Sequence, residues 1–155
     1  MKLEHEIKQK TFRNQRQRLL INILFTGGWL NAVQGKMLKP HGISLPQFNL
    51  LRILRGQHPS PATINLIRER MLDKMSNASR LVERLRTRDL VERAVNPNDR
   101  RACDVIITEK GLALLKELDC LERQWSDMVS HLDENEISLM NNLLDKIRDA
   151  DLSHV

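Results

Sequence analysis

The sequence predicts a mainly α fold with one small β-hairpin. Apolar residues recur at helical spacing through most of the chain, in runs that open at capping residues. Only once does the pattern switch to alternation, on either side of the dense turn signal Asn96-Pro97-Asn98-Asp99. The length of 155 residues suits one domain, read as 1–155, that folds without a disulfide or a metal.

The first helical run carries Leu19, Leu20, Ile23, Leu24, Leu30, Val33 and Met37. Gly27-Gly28 interrupts its apolar stripe, as a kink or a close packing point would, and Pro40 with Gly42 ends it. Ser44, followed by Gln47, forms a capping box for a second helix with Phe48, Leu51 and Leu54 inward. After a Gly56–Pro61 loop, a short helix spans about Ala62 to Arg70, with Ile64 and Ile67 inward. Ser76 is the expected N-cap of a helix over about Asn77 to Arg88, whose apolar face is Ala78, Leu81, Val82 and Leu85. Leu90–Val95 and the alternating segment through Cys103, Val105 and Ile107 form the hairpin strands. Thr108 caps a long helix to about His131. Asp133 and Glu136 box the start of the last, striped by Ile137, Met140, Leu143, Leu144 and Ile147.

The net charge of +5 is unevenly spread: residues 1–51 and 52–101 each carry +6, and residues 102–155 carry −7. A basic first two-thirds suits a polyanionic partner. There is no run of about 18 apolar residues, so no membrane span is expected. The start, Met1-Lys2-Leu3-Glu4-His5, has no signal-peptide apolar stretch, so a cytoplasmic protein is expected. Two cysteines cannot make a disulfide framework, and the five histidines show no metal-ligand spacing. No nucleophile–base pair, phosphate loop or cofactor motif is present, so neither an enzyme nor a cofactor is expected. Cys103 on a strand and Cys120 beside Leu118 and Leu121 fit packing better than redox sensing.

Two short helices joined by a tight connector, the second of them basic, read as a helix-turn-helix. Its second helix would enter a major groove and needs small polar residues and arginines on its outer face. Lys74, Ser76, Asn77, Ser79, Arg80 and Arg84 supply them. Arg100 and Arg101 at the hairpin turn would reach an adjacent minor groove.

The stretch Ser76-Asn77-Ala78-Ser79-Arg80-Leu81-Val82-Glu83-Arg84-Leu85 through Leu90-Val91-Glu92-Arg93 resembles the recognition helix and first wing strand of the MarR (multiple antibiotic resistance regulator) family. Asn98-Asp99-Arg100-Arg101, followed by Val105-Ile106-Ile107-Thr108-Glu109-Lys110-Gly111, resembles that family's wing and the start of its next helix. The resemblance implies a winged helix-turn-helix lobe over about 44–108 and dimerisation helices over about 1–40 and 109–155. It also implies that Asp99 braces a wing arginine, and that a small-molecule effector cleft lies between lobe and dimerisation helices. Phe25, Trp29 and Phe48 are the candidate cleft residues. One departure is Asp89, where the family usually places a glycine to close the recognition helix. The expected function is a homodimeric, sequence-specific binder of double-stranded DNA acting as a repressor on an inverted repeat. The alternatives are a non-specific architectural DNA-binding protein and a ligand-binding helical protein.

Overall fold

The computed structural model describes residues 1–95 and 103–149, so the expected wing residues Asp99, Arg100 and Arg101 lie outside the described residues. Its elements are α1 (Leu3–Glu6), α2 (Gln15–Leu38), a 3-10 turn (Lys39–His41), α3 (Leu45–Gln57), β1 (Ala62–Thr63), α4 (Ile64–Arg70), α5 (Ala78–Arg86), β2 (Val91–Val95), β3 (Cys103–Ile107), α6 (Glu109–Asp127) and α7 (Glu134–Arg148). They fall into two compact units, Met1–Glu117 and Leu118–Val155, with α6 starting in the first and ending in the second. No helix among the described residues is long and apolar enough to cross a membrane.

Local chemistry sets the helix starts. Asn14 accepts the Gln17 N–H at 2.9 Å to open α2. Ser44 and Gln47 form the expected capping box of α3, and Asp133 and Glu136 that of α7. Helix α2 runs unbroken through Gly27-Gly28, and beyond the adjoining residues and the helix's own backbone no described atom lies within 4 Å of where their side chains would begin. Among the described residues, the glycine pair is therefore not a packing point.

Three expectations need correction. Ala62-Thr63 is not the start of a helix: it pairs with β3, opposite Val105 and Asp104, and makes the hairpin the larger part of a three-stranded antiparallel sheet in the order β1-β3-β2. Thr63 then caps α4 by accepting the Leu66 N–H at 3.1 Å. Asn77, not Ser76, caps α5, because the Ser76 hydroxyl donates to Asp73 Oδ2 at 2.8 Å while Asn77 Oδ1 accepts the Arg80 N–H at 3.0 Å. Cys120 is exposed rather than packed, since Leu118 and Leu121 occupy the buried side of α6.

In the first unit α3 is the central helix, packed on α2, α4, α5 and β3. Leu50, Leu51, Leu54, Ile67, Val82, Leu85, Val91, Val105 and Leu115 are sealed from solvent. Each large aliphatic side chain buried this way stabilises the fold by about 1.5–3 kcal/mol.

The end of α5 is tied to two neighbours. Asp89 takes φ +59°, its N–H donates to the Arg86 carbonyl at 2.9 Å, and the Leu90 N–H donates to the Leu85 carbonyl at 3.1 Å. This is the Schellman arrangement that a left-handed residue closes. The Thr108 hydroxyl donates to the Asp89 carbonyl at 2.7 Å and accepts the Gly111 N–H at 3.0 Å, which lays the start of α6 on that turn. A Cβ on Gly111 would sit 2.3 Å from the Leu90 carbonyl oxygen and 2.7 Å from Ile107 Cγ1. On the other side, the Arg88 guanidinium donates to the carbonyls of Gly42, at 2.6 Å, and His41, at 3.3 Å.

Two stability outcomes follow from this junction. Gly111→Ala should destabilise the protein by about 3 kcal/mol or more, because backbone must move to admit the methyl group. Asp89→Gly should instead be neutral or stabilising by up to about 1 kcal/mol, since glycine takes positive φ without steric cost but loses more chain entropy. Urea denaturation of both variants checks the contrast: a large loss for Gly111→Ala and none for Asp89→Gly.

Candidate nucleic-acid interface

Helices α4 and α5 form the expected helix-turn-helix, and the connector between them is held at defined points. Buried Met71 donates its N–H to the Ile67 carbonyl at 3.0 Å, and the Leu72 N–H donates to Asn49 Oδ1 of α3 at 2.9 Å. Asp73 accepts from the Met75 N–H at 2.9 Å and from the Ser76 hydroxyl. Lys74 Nζ donates back to the Glu69 carbonyl at the end of α4.

Ala78, Val82 and Leu85 seat α5 in the core, which turns the opposite side outward. Ser79, Arg80 and Arg84 are exposed there, and among the described residues neither arginine has an acidic partner. The structure thus gathers Lys74, Ser76, Asn77, Ser79, Arg80 and Arg84 along the connector and α5. Their side chains are not equivalent, because Lys74, Ser76 and Asn77 already hold local structure.

Sequence reasoning missed the ionic cluster beside this surface. Glu83 Oε1 accepts from Arg86 Nη2 at 2.6 Å and Nε at 3.1 Å, and Arg93 Nη2 of β2 lies 3.5 Å from Glu83 Oε2. The Arg86 hydrogen bond, helped by the charges of both arginines and opposed by partial desolvation, holds the Glu83 carboxyl below the ordinary carboxylate range. The i,i+3 spacing of Glu83 and Arg86 was a legible signal; the β2 partner was not.

The candidate effector residues are dispersed. Phe25 is half-buried and Trp29 exposed on α2, whereas Phe48 is sealed in the core with the Arg52 guanidinium carbon 5.8 Å from its ring centre. A separate cleft is lined by Asn31 and Gln34 of α2, Pro46 and Asn49 of α3, and Met71 and Leu72 of the connector. None of the three aromatic residues lines it.

Comparisons with known proteins agree with this architecture. The MarR family profile matches residues 41–102. The repressor NicR of Pseudomonas putida is 36% identical over 106 residues, which span 68% of this chain and 66% of NicR. A MarR transcription factor from Planctomyces limnophilus superposes with a TM-score of 0.66 at 29% identity, covering 87% of this chain and 98% of that one. A MarR variant from E. coli, solved with operator DNA, shares the fold with a TM-score of 0.75 at 22% identity, covering 89% and 99%. By fold, profile and relatives, the chain belongs to the MarR family of transcription regulators, a family of regulators rather than enzymes.

Proposed function

We propose that this regulator acts as a homodimeric repressor that reads an inverted-repeat operator, one recognition helix per half-site. The observation that carries the reading is the orientation of α5: its apolar side is buried, and Arg80 and Arg84 stand exposed one turn apart on the other. An arginine pair so placed matches base-edge and phosphate acceptors in a major groove. Lys74, Ser76, Asn77 and Ser79 border the same surface; Lys74, Asn77 and Ser79 keep donors that suit phosphates, whereas Ser76 has given its hydroxyl proton to Asp73 and positions the connector. Arg100 and Arg101, braced by Asp99, are proposed as the minor-groove contacts of the wing.

A dimer is supported by apolar side chains that each unit leaves in solvent. Leu19, Leu20 and Leu24 of α2 are 49–76% exposed, and Leu139, Met140 and Leu143 of α7 are 51–58% exposed. Large apolar side chains exposed in groups on a helix are what an interface would cover. The proposed organisation is therefore a DNA-binding lobe at about 44–108 with dimerisation segments at about 1–40 and 109–155. The effector reading rests on the mixed polar and apolar cleft at Asn31, Pro46, Asn49 and Met71, which touches the connector leading into α5. BpsR of Bordetella bronchiseptica is a relative in fold whose DNA binding is regulated by 6-hydroxynicotinic acid. A ligand here would act by favouring one spacing of the two recognition helices.

Light scattering of the full chain should give twice the 18.1 kDa chain mass. A monomer at micromolar concentration would contradict the dimer. Arg84→Ala should cost about 1–3 kcal/mol in operator binding and relax preference at one position per half-site, whereas loss of a phosphate contact at Arg80 should flatten the salt slope by about one unit. Titration of operator point mutants at several salt concentrations separates these. Equal affinity of the wild-type chain for operator and random duplex would favour the architectural alternative.

A further inference from the structure

We propose that Glu83 sets the DNA specificity of this surface by holding Arg86 and Arg93 in ion pairs, which withholds two cations from the phosphates of non-cognate duplex. The inference rests on the reading of α5 as the DNA-contacting helix.

Both Glu83 oxygens are committed: Oε1 to Arg86, and Oε2 to Arg93 at 3.5 Å and Arg86 Nε at 3.3 Å. The cluster is not a buried staple, because its side chains remain 44–50% exposed. Glu83 follows Arg80 by three residues and precedes Arg84, so it borders the outward arginine face on the side of β2. That side is a groove lined by Glu83, Asp89 and Glu92 together with Arg86 and Arg93. There both arginines are engaged by Glu83, Asp89 lies 3.5 Å from Lys110 Nζ, and Glu92 adds a further negative charge that disfavours a phosphate. Arg80 and Arg84, one turn apart on the outward face, have no such acidic partner among the described residues.

Non-specific binding scales with the number of cations that reach phosphates, whereas specific binding adds base-edge contacts. A carboxylate that engages two arginines beside the reading face therefore lowers the first more than the second. Exposed ion pairs contribute little to folding stability, so the carboxylate can be removed without unfolding the domain.

The test titrates the full wild-type chain, Glu83→Gln and the triple variant Glu83→Gln/Arg86→Gln/Arg93→Gln against a selected operator and a scrambled duplex of equal length. Fluorescence anisotropy is read from about 50 to about 200 mM salt, a range over which each additional phosphate contact makes affinity fall by about a further threefold. Glu83→Gln should bind the scrambled duplex more tightly at low salt, with a slope steeper by about one to two units per chain and a smaller operator-to-scrambled ratio. The triple variant should lose this gain. An unchanged slope with unchanged scrambled affinity in Glu83→Gln would overturn the proposal. So would weaker binding of both duplexes at unchanged slope, the signature of a purely structural tie between α5 and β2. A wild-type chain that failed to distinguish the duplexes would overturn the operator reading itself, and this role with it.

Discussion

Ala78, Val82 and Leu85 lie along one side of α5 and are closed off by α3, α4 and β2. Truncating a buried leucine to alanine in such a site costs about 2–5 kcal/mol, far more than any exposed ion pair on the opposite side contributes. Packing therefore decides the rotation of the helix about its axis, and the polar side follows. The arginines on that side take almost no part in holding the helix, which leaves them available to a partner. The same division makes the binding surface tolerant of change: side chains that read a ligand are separate from those that hold the fold.

The ends of α5 are controlled by different means. At its start, Asp73 organises the connector, Asn49 anchors it to α3, and Asn77 satisfies the first turn. At its end, the left-handed Asp89 turn is sandwiched between the Thr108–Gly111 start of α6 and the Arg88 clamp on the turn after α2. The helix that faces outward is thus bonded to the ends of two longer helices. Through these bonds a change in the direction of α2 or α6 would reach the placement of Arg80 and Arg84, which is the coupling the proposed dimeric reading requires.

Features governed by neighbours in sequence were legible before the structure. The Ser44–Gln47 and Asp133–Glu136 boxes and the Thr108 cap depend on contacts within four residues, and the apolar side of α5 shows in the spacing of Ala78, Val82 and Leu85. Asp89 was legible as a substitute for glycine, and its φ of +59° bears out that substitution. Strand β1 was not legible, because two residues carry no period and exist as a strand only by pairing with β3 some forty residues on. Ser76 and Asn77 are both capping types, and only the capture of Ser76 by Asp73 decides between them. In the candidate site, Arg80 and Arg84 were readable from periodicity. The Arg88 clamp reaches carbonyls 46 and 47 residues away, and the Glu83–Arg93 contact crosses from helix to strand; both are products of tertiary packing.

The central claim is that the outward side of α5 enters a major groove, and chemical interference on the DNA addresses it most directly. Dimethyl sulfate marks guanine N7 in the major groove and adenine N3 in the minor groove. With a selected operator, N7 methylation should block binding at two clusters of guanines centred about one helical turn, roughly 10 base pairs, apart. Interference confined to adenine N3, or binding indifferent to N7 methylation throughout the site, would contradict the assignment of α5 as the reading helix.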